Sequence, residues 1–537
     1  MASNLSDGTA VARPIVVVAE AIAEAGLDAL NRECEVVDLV GADRSAVIEA
    51  LANAAALIVR SETTVDREMI EAAPLLQVVG RAGIGVDNID LDAATEQGVL
   101  VVNAPNANTI SAAEHTMALL LAQARRVPEA DQSLRSGRWD RELFQGMELH
   151  GKTLGVLGLG KIGTLVAQRA SSFGMTIIAY DPYVAVNRAQ RLGVELLPLT
   201  EVFARADVIT IHLPRNAETE NLITTESIAT MRDGVRIINV ARGGIINEAD
   251  LADAVESGKV GGAGVDVFEV EPSTDSPLFR VPQIVVTPHL GASTREAQDK
   301  AGTAVAQAVA DALAGHLVLS AVNLDFGASV SAELMPFIAL AEQLGRIFAV
   351  QAKGLPNELT VTSRGQLAHE PVRPLALAAL KGALSGSTDE HVSYVNAGLI
   401  AASRGVTVIE ESQTTVDDYQ SIVRLTGVVD GQIRTVAGTC MTRKGPVLVG
   451  VDGYSVEVPL TTHMLLVRND DSPGCIGRVG TYLGDIGHNI ADMVVGRAPD
   501  GSGAMMGIAL EQALDADHVA GLMSLDGILA VSYIDLK

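Results

Sequence analysis

Leu154-Gly-Val-Leu-Gly158-Leu-Gly160-Lys-Ile-Gly163 is the stretch on which the reading of this chain turns. A short aliphatic run passes into G-x-G-x-x-G and then into the helix-forming Thr164–Ser172. In a strand-turn-helix unit the first glycine makes the tight turn and the second lets backbone approach a pyrophosphate. The third allows helix and strand to pack closely. The helix's free amides and dipole then face the phosphates. Gly158, Gly160, Lys161 and Gly163 are therefore candidate cofactor contacts. Asp181 follows Gly163 by 18 residues, at the end of the next strand-like run. A carboxylate there accepts from the ribose hydroxyls and repels a 2′-phosphate, which favours NAD over NADP. The plainer alternative is a glycine-rich structural turn with an unrelated aspartate.

Working outward, Lys152 to about Leu290 holds six strand-like segments: 154–157, 176–180, 208–212, 236–240, 262–267 and 284–287. With helical crossovers these predict a doubly wound parallel sheet. Just beyond its strand ends lie Arg242, Glu271 and His289, at the edge where open α/β sheets bind ligands. Oxidising a secondary alcohol by hydride transfer needs a base near neutral pH, and His289 is the candidate. Glu271 would orient it. Arg242 would bind a substrate carboxylate and polarise the C2 oxygen. Singly, each has an ordinary reading as a surface Arg, a turn carboxylate or a structural His.

Upstream, Pro14–Asn103 alternates aliphatic runs (15–19, 56–59, 77–79, 99–102) with Ala-rich amphipathic stretches, a second parallel α/β unit. Ser111-Ala-Ala-Glu114 has capping-box spacing and predicts the start of a buried helix over 112–124. Arg295–Ala314 reads as a helix returning onto the first unit. Arg60 and Arg81 each follow a strand, near Ser61 and the loop amides of Gly83 and Gly85. They either bind an anionic substrate or form interdomain ion pairs. Residues 326–459 show no catalytic constellation, and the segment after 460 reads strand-helix-strand-strand-helix-strand, a ferredoxin-like order. Trp139 either inserts into a neighbouring subunit or packs in a core.

At 537 residues the chain exceeds one core, so three or four domains of roughly 150 residues are expected. A net charge of −27 excludes nucleic acid and anionic lipid as partners. Cys34, Cys440 and Cys475 are scattered, with no zinc or disulfide pattern, which fits a reducing cytoplasm. Met1–Arg13 lacks a leader pattern and no run suits a membrane span.

The segments 158–163, His212-Leu-Pro214, 239–244, Gly264-Val-Asp266-Val-Phe with Glu271-Pro272, and Pro288-His-Leu-Gly291-Ala-Ser-Thr resemble the D-isomer-specific 2-hydroxyacid dehydrogenases, in that family's order. The resemblance implies Arg242, Glu271 and His289 as catalytic residues and adds Ile162, His212, Pro214, Val240, Asp266 and Gly291 as cofactor contacts. Formate dehydrogenases of this superfamily carry Gln in place of Glu271, which argues against that branch. The segments at 59–64 and 79–90 resemble the phosphoglycerate dehydrogenases, over nearly the whole chain, and imply 3-phosphoglycerate and 3-phosphohydroxypyruvate as substrates. Asn108 matches a position near the substrate, or simply shapes a turn.

Asp471-Ser-Pro-Gly and Gly487-His-Asn489-Ile resemble ACT domains, and in the long-form branch such a domain pairs with another subunit's copy and binds L-serine. Asp471 and Asn489 would hold it, in a homo-oligomer taken as a tetramer; a purely oligomerising module is the alternative. The expected fold class is α/β: a flavodoxin-like substrate domain (10–107 and 297–325), a Rossmann NAD domain (108–296), an α+β intervening domain (326–459) and a βαββαβ ACT domain (460–537). Dehydrogenation of an unphosphorylated 2-hydroxy acid and a nonenzymatic NAD-sensing scaffold are the rival functions.

Overall fold

The computed structural model describes residues 13–324, 326, 330–388, 391–416, 418–498, 501 and 503–536. The expected domain limits at 10, 325 and 537, and nearly all of the stretch read for a leader, lie outside these residues. Among the described residues no helix is long and apolar enough to cross a membrane.

Strands β1 (Ile15–Val18), β2 (Glu35–Asp38), β3 (Ala56–Val59), β4 (Val78–Arg81) and β5 (Leu100–Asn103) form a parallel sheet in the order β2-β1-β3-β4-β5. Both faces are covered, so β3 is an unbroken apolar run, buried throughout. β2 escapes sequence reading because Glu-Val-Val-Asp is a short, half-exposed edge with no sustained period. The helix Arg295–Leu313 packs Ala301, Val305 and Val309 into the core under this sheet.

The second parallel sheet comprises β6 (Thr153–Leu157), β7 (Thr176–Tyr180), β8 (Glu195–Leu196), β9 (Val208–Ile211), β10 (Val235–Asn239), β11 (Val260–Val265) and β12 (Ile284–Val286). Its order is β12-β11-β10-β9-β6-β7-β8, so strand order reverses between β6 and β9 and opens a crevice at their carboxyl ends. It has seven strands where the sequence predicts six; β8 is two residues long and carries no periodic signal. The helix Thr109–Ala124 starts before Ser111, correcting the capping-box reading. The Ser111 hydroxyl instead meets Thr294 Oγ1 at 2.8 Å.

Strands β13 (Glu358–Gly365), β14 (Thr407–Gln413), β15 (Ser421–Val429), β16 (Gln432–Met441), β17 (Gly445–Val451) and β18 (Tyr454–Pro459) form a third sheet, antiparallel except where β13 meets β14. The last sheet, β19 (His463–Asn469), β20 (Ile490–Arg497), β21 (Ala504–Leu510) and β22 (Ile528–Asp535), has the order β20-β21-β19-β22 with helices Cys475–Asp485 and Ala516–Met523, a ferredoxin-like βαββαβ unit. Alternation splits its faces. Leu465, Val467 and Met506 meet the helical residues Val479 and Leu522, while Met464, Leu466, Met505 and Ile534 join the core built by Leu340, Leu344, Val456 and Val458 of the preceding module. The third and fourth sheets thus share one core. Asn396, from the module of the third sheet, reaches the turn at Gly98, where an added Cβ would lie 2.4 Å from its Nδ2. Trp139 is 80% exposed, which overturns core packing as its role within the chain.

Candidate active site

The glycine turn shows three different constraints. Gly158 has φ 93°, a left-handed value, and an added Cβ there would meet the His212 carbonyl oxygen at 2.7 Å. A Cβ at Gly163 would fall 2.0 Å from the Gly158 oxygen, so helix Lys161–Ser172 sits directly on the turn. Among the described residues a Cβ at Gly160 would meet nothing within 4 Å and no side chain caps the helix start, which leaves open space before it. That is the room and the donor set a pyrophosphate needs. Asp181 accepts from the Leu159 amide (2.8 Å) and the Tyr183 amide (2.9 Å), which fixes its carboxylate beside the turn. Lys161 Nζ donates to Asn106 Oδ1, tying the glycine loop to the segment that enters the long helix.

His212 lies at the end of β9 against Thr210 Oγ1 (3.0 Å), and burial pushes it down to about 3, so it stays neutral. Thr219 donates to the Pro214 carbonyl (2.6 Å), holding that loop. Asp266 is fully buried, and its Oδ1 accepts from Thr287 (2.5 Å) and the Leu290 amide (2.7 Å) while Oδ2 accepts from the Gly291 amide (2.8 Å). Burial raises this carboxyl, but these bonds and one from His115 hold it below the usual range. Val240 packs against Gly291, where a Cβ would stand 3.0 Å from its side chain. Asp266 thereby shapes the loop that carries His289.

His289 has φ 54°, and its amide donates to the Asp266 carbonyl (2.8 Å). This left-handed residue turns the ring toward Glu271, whose Oε2 lies 2.6 Å from Nδ1. Glu271 Oε1 accepts from the Phe268 amide (2.9 Å). Burial raises Glu271, yet the histidine and the amide bring it below its ordinary value, so it is a carboxylate. With Nδ1 engaged, Nε2 of the part-exposed ring is left for proton transfer.

Arg242 spans the cleft, its Nε 3.3 Å from Asp87 of the loop after β4. It overlies Gly85, whose added Cβ would fall 2.4 Å from Nη2. Arg81 overlies Gly83 in the same way (1.6 Å from Nη1), and its buried Nε has no hydrogen-bond partner among the described residues. Burial, and then Arg242, pull Arg81 below the ordinary guanidinium value. Asn108 Oδ1 is likewise buried and without a partner among the described residues. Arg81, Gly83, Gly85 and Arg242 are brought together; Arg60 lines a neighbouring cavity of about 140 Å³ with Ala82 and Gln298, and Ser61 is exposed.

Asp471 and Asn489 are not brought together within one chain. Asp471 pairs with Arg497 at the far end of β20 (2.9 Å), while the exposed Asn489 precedes the first residue of that strand. Eight residues of strand place them on the order of 25 Å apart. Sequence reasoning also missed His115, whose Nε2 meets Asp266 and Thr287 (3.2 and 3.0 Å), and Asp87. The Gly85-Val-Asp87-Asn88 loop was read for its amides, and only packing across the cleft pairs its acid with Arg242.

Residues 117–291 match the family model described as D-isomer specific 2-hydroxyacid dehydrogenase, NAD binding domain, and residues 333–452 match the D-3-phosphoglycerate dehydrogenase intervening domain. The chain is similar to D-3-phosphoglycerate dehydrogenase of Mycobacterium leprae (47% identical, covering 94% of this chain and 96% of that one) and of Archaeoglobus fulgidus (41%, covering 97% and 100%). Among solved structures it is similar to a glyoxylate reductase from Paecilomyes thermophila (30% identical, TM-score 0.54, 58% of this chain and 98% of that one). It is also similar to the Aquifex aeolicus D-lactate dehydrogenase complexed with NAD and lactic acid (27%, TM-score 0.51, 56% and 96%). With a glycine turn shaped for NAD, a His289–Glu271 pair at the crevice and this likeness along nearly its whole length, the chain belongs to the D-3-phosphoglycerate dehydrogenase family of NAD-dependent dehydrogenases.

Proposed function

We propose that the protein oxidises 3-phosphoglycerate to 3-phosphohydroxypyruvate with NAD, the first committed step toward L-serine. The observation that carries this is a cluster of cations in the cleft: part-buried Arg81, whose buried Nε has no hydrogen-bond partner among the described residues, stands beside Arg242, whose own acidic contact is Asp87, and two guanidinium groups so close suit an anionic substrate. Asn108 adds a buried oxygen without a donor among the described residues, suited to a substrate hydroxyl.

In the oxidative direction Nδ1–H of His289 donates to Glu271, and Nε2 takes the proton of the C2 hydroxyl as the C2 hydride departs. The nicotinamide, when bound, supplies the hydride acceptor. Arg242 holds the carboxylate and polarises the C2 oxygen, and Arg60 and Arg81 read the phosphate. Gly158, Gly160, Gly163 and Asp181 hold the dinucleotide, with Asp266 keeping the His289–Gly291 loop in place.

The enzyme acts as a cytoplasmic homo-oligomer, a tetramer, inhibited by L-serine. The exposed Trp139 supports a subunit contact, and the three free cysteines suit a reducing compartment. Because Asp471 and Asn489 stand at opposite ends of one sheet, a shared serine site needs one residue from each of two ACT modules.

The test is NADH consumption with 3-phosphohydroxypyruvate and with unphosphorylated hydroxypyruvate, each with and without L-serine. A strong preference for the phosphorylated acid supports the substrate assignment. Equal rates favour the unphosphorylated rival, NADH binding without turnover favours the scaffold, and indifference to serine removes the effector site.

A further inference from the structure

Two side chains outside the reacting cluster clamp the loop that carries Arg60 and Ser61. Glu20, two residues after β1, turns its carboxylate into this loop: Oε1 accepts from the Arg60 amide (2.9 Å) and the Thr63 amide (2.9 Å), and Oε2 from the Glu62 amide (3.2 Å). On the other side, Asn88 Nδ2 donates to the carbonyls of Arg60 (3.0 Å) and Thr63 (2.7 Å). Arg60 is therefore held at both its amide and its carbonyl. Asn88 also follows Asp87, the partner of Arg242, so one short segment ties the Arg60 loop to the cleft-spanning guanidinium.

A carboxylate beside an anion site is unfavourable by simple Coulomb repulsion. It is tolerable here because three amides take up its charge. Burial raises the Glu20 carboxyl while these amides lower it, with a net downward result, so it remains ionised and keeps its acceptors. A main-chain clamp of this kind costs the substrate nothing on binding, because the loop is already ordered.

We infer that Glu20 and Asn88 are positioning residues that set the Arg60 loop for the phosphate of the substrate. They touch no reacting atom. The inference rests on the substrate reading above. Each side chain acts through the loop, so its loss falls on recognition of the phosphorylated end and spares hydride transfer.

The experiment compares steady-state kinetics of the full-length protein and its Glu20→Gln and Asn88→Ala variants, using NADH with 3-phosphohydroxypyruvate and with hydroxypyruvate, alongside Tm and NADH binding. Gln offers one acceptor oxygen to three amides and sets an NH2 against at least one of them. Loss of one charge-assisted bond then raises KM for the phosphorylated acid roughly tenfold. The kcat, the KM for hydroxypyruvate and the Kd for NADH stay within about twofold, the range of a minor repacking. Asn88→Ala gives the same split from the opposite side of the loop. Equal losses with both keto acids, no change with either, or loss of folded protein in the variants overturns the inference. Lack of phosphate preference in the unaltered protein is a separate result, which removes the substrate reading instead.

Discussion

Glu271→Gln tests the proton-transfer pair at the cost of a single atom type. The carboxylate faces two donors, Nδ1–H of His289 at 2.6 Å and the Phe268 amide at 2.9 Å, and satisfies both with separate oxygens. A glutamine has one oxygen. If it serves Phe268, its NH2 donates to Nδ1 and drives the ring proton onto Nε2, which removes the base needed for alcohol oxidation. If it serves His289, the NH2 confronts the Phe268 amide. Either arrangement forfeits a bond to a charged group, worth about 1.5–3 kcal/mol, which corresponds to a fall in kcat of roughly 10- to 150-fold. Stopped-flow or steady-state NADH assays in both directions read this directly, with NADH binding measured by fluorescence as the control. Unchanged kcat with unchanged binding would falsify the assignment of Glu271 as the group that orients His289.

Asp181→Ala removes the carboxylate beside the glycine turn; KM for NADH rises by about tenfold or more while KM for NADPH falls, and kinetics with the two cofactors check it. Unaltered discrimination removes Asp181 from cofactor selection. Gly163→Ala places a Cβ 2.0 Å from the Gly158 oxygen, so the helix must shift; a loss of about 1–3 kcal/mol is expected in a denaturant melt, with weakened NADH binding. Acid stability follows from Asp266 and Glu271, both held below their ordinary values. Their contribution is full above the unfolded carboxylate range and is lost as pH falls below about 4. A Tm-against-pH series shows this as a steep acid limb, and in Asp266→Asn that limb is shallower.

The glycine turn was legible because its three glycines have distinct reasons, a left-handed turn at Gly158, open space for phosphate at Gly160 and close packing at Gly163, and those reasons survive in sequence as fixed spacing. Arg242, Glu271 and His289 were legible for a related reason, since each lies in the loop that follows a strand readable on its own. His115 was not. It sits inside a helix, between Glu114 and Thr116, and nothing local says that Asp266, far along the chain, will meet its ring. Ser111 shows the opposite failure: local capping chemistry was present, but the hydroxyl went to Thr294 and the helix began earlier. The short strands β2 and β8 gave no period to read. The placement of Asp471 and Asn489 depends on sheet order, which spacing alone does not contain.

The core common to the last two sheets has a mechanical consequence. Met464, Leu466 and Ile534 are packed with Leu340 and Val456, so the terminal module cannot tilt without carrying its neighbour. The pair behaves as a stiff lever more than 190 residues long in sequence, whose tip bears on the Gly98 turn through Asn396, and that turn leads directly into β5. Force applied at the far edge of the lever arrives at the root of the strand that opens onto Asn108. Protease cuts between the two sheets should accordingly leave fragments that remain associated through native chromatography.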